Sequence, residues 1–107
     1  MPMITIKYDD TKVSDEKIFE LSNATQEIVR EVTGIKEVFV YADSPRIKLK
    51  VAPIEIFIEM SASEIQDKNK LFLEVKTKLS EWKKAESFSQ PINLTLTPMD
   101  WKFEVDI

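Results

Sequence analysis

The sequence of 107 residues contains no cysteine, no histidine and a single glycine. Without His or Cys, a Ser-His-Asp triad, a thiolate nucleophile and the common zinc sites are all out of reach. One glycine also excludes a Walker-type phosphate loop and a dinucleotide fingerprint, since both need several backbone positions free of a side chain next to phosphate. Chemistry on this chain must therefore come from carboxylates, Lys, Arg, Tyr or a chain terminus. The absence of cysteine also means that the fold owes nothing to disulfides. No apolar run approaches the length of a membrane span, and the opening MPMITIKYDD has neither a basic n-region nor an apolar core of signal-peptide length. The expectation is a cytoplasmic protein without a membrane partner. Fifteen Lys plus Arg stand against 19 Asp plus Glu, a net charge of -4, which points away from nucleic acid.

What is present is periodicity. Met3 to Tyr8 alternates, with Ile4 and Ile6 on one side, as a half-buried strand does. Ser14 or Asp15 can cap a helix in which Ile18, Leu21, Thr25, Ile28, Val29 and Val32 recur at helical spacing. Gly34 falls where a left-handed C-terminal cap belongs. EVFVYA, 37–42, predicts a second strand, and RIKLKV, 46–51, a short basic edge strand. A second unit starts at Pro53. IEIFIEM, 54–60, alternates; Ser61 with Glu64 fits a capping box; Ile65, Phe72, Val75, Leu79 and Trp82 supply a helical stripe; and INLTLT, from Ile92, predicts a fourth strand. The tail WKFEVDI, 101–107, alternates once more, with its aromatic and aliphatic residues on one side.

The two halves repeat one plan, opened by Pro2 and Pro53, 53 minus 2 or 51 positions apart. The expected fold is α+β: a duplicated βαβ (βαββαβ) with two helices on one face of a four-stranded mixed sheet, plus short edge strands. The whole chain, 1–107, reads as one domain of two repeats, about 2–45 and 53–100, with 101–107 as an interface strand. Two architectures share that element order, the ferredoxin-like sandwich and the tautomerase barrel. The apolar tail, two tryptophans and the lysine-guarded RIKLKV favour edges that pair between subunits.

The opening PMITIKY, the SDE helix start, the TG after the first helix and the second Pro-led strand PIEIFIEM resemble the tautomerase superfamily, which includes oxalocrotonate tautomerase and macrophage migration inhibitory factor. The doubled length and the stretch IEIFIEMSASEIQDKNK resemble a bacterial branch of that superfamily. The resemblance implies a homotrimer with an amino-terminal proline, here Pro2, in a pocket at each subunit boundary. That proline acts as general base on a small carbonyl compound, shifting a keto-enol or double-bond position, while cationic or hydrogen-bonding groups hold the enolate oxygen. No metal or organic cofactor is implied. A free terminal amine titrates near 7.7 to 8 in model peptides, roughly, and an apolar pocket lowers that value. The reading requires removal of Met1, because a proline in amide linkage is no base.

The usual partners of that proline differ here. Val13, with Lys12 beside it, occupies the place of one family arginine, and Phe39 that of a second. Ile35, with Lys36 next, stands where the inhibitory-factor branch has a lysine, and Asn93 and Thr95 align with its tyrosine and asparagine. The substrate-binding candidates are accordingly Lys36, Arg46, Lys12, Asn93 and Tyr41. Two competing readings are a catalytically silent trimeric binding or structural protein of the same fold, and a monomeric ferredoxin-like module.

Overall fold

A computed structural model describes residues 1–107. In chain order it contains β1 (Met3–Tyr8), α1 (Asp15–Thr33), β2 (Phe39–Asp43), β3 (Ile54–Ser61), a short 3-10 turn (Ala62–Glu64), α2 (Lys68–Ala85) and β4 (Asn93–Met99). The sheet order is β2-β1-β3-β4. Each repeat contributes a parallel pair, β1 with β2 and β3 with β4, and the two repeats join through the antiparallel pair β1 and β3. Parallel pairing within a repeat follows from the helical crossover, which is long enough to return the chain in the same direction.

The period-2 pattern decides what is buried. Ile4 and Ile6 on β1 and Ile54, Ile56, Ile58 and Met60 on β3 are almost completely removed from solvent. Leu21 and Val29 of α1 and Val75 and Leu79 of α2 close over that face. The intervening residues, among them Thr5, Lys7, Glu55 and Phe57, form the other face of the sheet, which no element of the chain covers.

Local signals set α1. The Ser14 side chain accepts a hydrogen bond from the Lys17 N–H at 3.2 Å, and Gly34, with φ of 74°, closes the last turn through its N–H to the Arg30 carbonyl. The capping box expected at Ser61 and Glu64 does not form. Ser61 is still paired to Met99 at the end of β3 and leads only into the 3-10 turn, so its backbone is committed to the sheet. Asp67 caps α2 instead, accepting from the Lys70 N–H at 3.1 Å, and Ile65 lies ahead of the helix rather than on its stripe.

The short edge strands expected at 46–51 and 101–107 are also absent from the single chain. Both segments alternate, yet an alternating segment becomes a strand only beside another strand's free N–H and C=O groups. Here neither has a neighbour. Leu49 and Ile107 are wholly exposed and Ile47 is 83% exposed.

Candidate active site

Pro2 lies one residue ahead of β1. Its ring is fully buried, and its carbonyl accepts a hydrogen bond from the Phe39 N–H at 3.2 Å. The register of Met3 with Phe39 on one side and Glu59 on the other, continued by one residue, sets Pro2 between Val38 and Met60, both buried. By parity Pro2 belongs with Ile4 and Ile6, on the apolar side of the sheet. A proline fits there because its missing N–H removes no ladder bond at the first position of a strand.

The chain's own amine continues outward from that point. The Met1 ammonium contacts the Glu64 carboxylate at 2.5 Å, joining residues 63 positions apart. Glu64 sits on the 3-10 turn that follows β3, and the antiparallel pairing of β1 and β3 brings the start of one strand to the end of the other. Reading Ser61 and Glu64 as a capping box hid this residue. The available signal was its place, just past the end of the strand that pairs with β1.

Only some of the other candidates share Pro2's end of the sheet. Lys36 does: it precedes β2, its side chain is exposed, and its carbonyl accepts from the Arg30 Nε at 2.9 Å. Tyr41 pairs with Thr5 on the uncovered face of the sheet and is 55% exposed. Lys12, Arg46 and Asn93 belong to the opposite end. Asn93 is in register with Glu55, which is opposite Lys7, and five residues of strand between Pro2 and Lys7 span about 16 Å. Lys12 lies in the loop after β1, where its carbonyl takes a weak bond from the Gln90 amide at 3.5 Å. Arg46 lies in the loop after β2, which Lys48 ties to Asp10 at 3.1 Å. Within one chain these three do not meet Pro2.

That opposite end is densely paired. Lys7 Nζ reaches both Asp43 oxygens at 2.7 and 2.9 Å. The Tyr8 hydroxyl donates to Asp15 at 2.6 Å, and this bond to a carboxylate, helped by partial burial, pushes the phenol up to about 12. Asp9 accepts from the Thr11 hydroxyl at 2.6 Å and the Thr11 N–H at 3.0 Å, which hold its carboxyl below the usual carboxylate range. Lys7, Tyr8, Lys50, Glu55 and Phe57 line a concavity here of about 680 Å³. It is mixed in charge, and Pro2 is not among its walls.

The sequence matches no family model and no curated protein. Comparison with solved structures defines the class of fold. Malonate semialdehyde decarboxylase superposes with a TM-score of 0.71 at 10% identity, covering 98% of this chain and 92% of that one. It is described with decarboxylase and hydratase activities and was solved as wild type, with its first-position proline replaced by alanine, and in inactivated form. A fused 4-OT asymmetric trimer gives 0.68 at 13% identity over 94% and 91% of the two chains, and MIF2 of Leishmania major 0.66 at 16% over 98% and 94%. The chain has the tautomerase-superfamily fold. At these identities the shared property is that fold. No helix of the molecule is long and apolar enough to cross a membrane.

Proposed function

We propose that this chain is a cofactor-independent, tautomerase-like protein in which Pro2, once Met1 is removed, takes a proton from the carbon beside a carbonyl and returns it elsewhere, moving a keto-enol or double-bond position. The single observation that carries the reading is Pro2 itself, a ring held in a dry setting by the sheet, with its nitrogen the first atom of the chain after processing. The fold's association with such chemistry raises the case without making it, since one scaffold hosts many functions.

The reading includes a homotrimer in the cytoplasm. Lys12, Arg46 and Asn93 stand at the far end of the sheet, so in this reading they serve a Pro2 only across a subunit boundary; Lys36 shares Pro2's end of the sheet within the chain. Segments 46–51 and 101–107 expose alternating apolar residues that a neighbour's sheet edge would pair with, and the Trp101 indole N–H is buried without an acceptor. In this reading 101–107 is the interface strand.

The test begins with the intact mass of protein expressed without a tag, which reports whether Met1 is removed. In the processed chain, enol-keto conversion of phenylpyruvate should be measurable, and Pro2→Ala should lower it by about 10²- to 10⁴-fold, the usual worth of a general base. Full activity in Pro2→Ala assigns the chemistry elsewhere. A second reading, a silent binding or structural protein of the same fold, draws on one observation: Glu64 accommodates the Met1 ammonium, so a retained methionine has a place. Light scattering separates both from the ferredoxin-like module, which predicts a single-chain mass.

A further inference from the structure

We propose that Glu64 is the counter-ion of the processed N-terminus, a positioning residue that favours the protonated form of the Pro2 ring nitrogen and thereby sets the pH at which that nitrogen becomes a base. The inference rests on the reading of Pro2 given above. Its ground is geometric. The Met1 nitrogen is 2.5 Å from Glu64 Oε1, and three backbone bonds separate that nitrogen from the next one, so the two nitrogens are at most about 3.7 Å apart. The Pro2 nitrogen therefore lies within about 6 Å of the Glu64 carboxylate, inside the range in which an opposite charge favours the protonated form of an amine.

Removing Met1 leaves both groups anchored. Pro2 is fixed by its buried ring, by its carbonyl bond to the Phe39 N–H at 3.2 Å and by Met3 in register with both neighbouring strands. Glu64 is fixed by Ser61, still paired to Met99, and by the turn bond from the Ile65 N–H to the Ala62 carbonyl at 3.2 Å. With Met1 in place the Glu64 side chain is 30% exposed.

The other charged groups around this corner are Lys36 and Glu37 ahead of β2, Glu59 on β3, Asp67, Lys70 and Glu74 on or beside α2, and Asp100 and Lys102 just past the end of β4, which pairs with β3 up to Ser61. None forms an ion pair with the amine or with Glu64. Lys36 and the apolar setting of the ring oppose the charged form; Glu64 is the one carboxylate in contact with the terminus. Glu64 thus works against the base at neutral pH, and taking its charge away should make the base more available there.

The experiment uses chain with Met1 removed, verified by mass and labelled with ¹⁵N-proline, and follows the Pro2 nitrogen by NMR titration. Glu64→Gln and Glu64→Ala should each lower its midpoint by about one pH unit, Glu64→Asp should keep most of the wild-type value, and Glu74→Gln should leave it in place. The rising limb of kcat/KM against pH should move down by the same amount, giving up to a tenfold gain at neutral pH for any carbonyl compound turned over. An unchanged midpoint in Glu64→Gln and Glu64→Ala overturns the proposal. A lowered midpoint in a chain that turns over no carbonyl compound keeps Glu64 as counter-ion and sinks the tautomerase reading; turnover with an unmoved midpoint does the reverse.

Discussion

At the start of β1 a buried proline follows a terminal amine that contacts one carboxylate, Glu64, whereas at its other end Lys7, Tyr8 and Asp9 engage Asp43, Asp15 and Thr11. The two ends lie on the same strand and differ in how far their polar groups are satisfied. At the Tyr8 end Lys7, Tyr8, Asp9 and Asp10 all have side-chain partners inside the chain, so those side chains build the loops. At the Pro2 end the terminal amine and Glu64 form the one ion pair, beside a dry wall, which leaves capacity for something outside the chain. A group whose interactions are already met holds a structure together; one left with few partners is free to react.

The row of isoleucines that links both ends offers the largest effect. Ile56→Ala removes a side chain with no solvent exposure, opposite Ile6, from the middle of the sheet. It should cost about 2–5 kcal/mol in chemical denaturation, enough to melt both ends together. A loss below 1 kcal/mol would mean that the helices do not close over this row.

Asp9→Ala acts on one end alone. It leaves the Thr11 N–H without an acceptor and should lower Tm by several degrees at neutral pH. The folded carboxyl titrates below its ordinary 3.8, so its contribution is present above that pH and lost as pH falls through the folded value. The Tm gap between wild type and variant should close in acid. A gap that persists there points to the backbone of the turn instead.

Tyr8→Phe is smaller and has the opposite sign in pH. The folded phenol titrates at about 12, above its ordinary 10, so the neutral form donating to Asp15 stabilises the fold below pH 10, and that contribution disappears as pH rises toward 12. Ultraviolet titration should show a tyrosinate step near 12 that is missing in Tyr8→Phe, and the variant's stability deficit should vanish in alkali. The smallest effect belongs to Lys7→Met. Its pair with Asp43 is about half exposed at both partners, so less than about 1 kcal/mol is expected, shrinking as salt is raised. Neither Tyr8→Phe nor Lys7→Met should alter the titration of the Pro2 nitrogen, which keeps the two ends distinct.

Much of this was legible before any coordinates. Ile4 and Ile6 declare a strand with one wet side, Ile18 to Val32 a helix with one dry stripe, and Ser14 and Gly34 its ends, because each signal lies within a turn or a strand pleat of what it controls. Ser61 with Glu64 misled for the same reason. The motif is local and plausible, but the pairing of Ser61 with Met99 claims that backbone first, and Asp67 starts the helix. The alternation at 46–51 and 101–107 announces a face to be covered while saying nothing of its partner. Of the six candidate site residues, Pro2 and Lys36 share one end of the sheet, Tyr41 stands on its open face, and Lys12, Arg46 and Asn93 stand at the other end. Spacing along the chain carries no information about which strand ends coincide.

From its order of residues alone the chain determined two βαβ units, the faces they bury, and a chemistry restricted to acids, amines and phenols, since periodicity and missing residue types are properties of short stretches and of composition. Folding in three dimensions decided that β1 and β3 run antiparallel at the centre of the sheet. That pairing sets the end of β3 beside the start of β1, and so brings Glu64 to the amino terminus across 63 positions, a meeting that only long-range hydrogen bonding between strands can arrange.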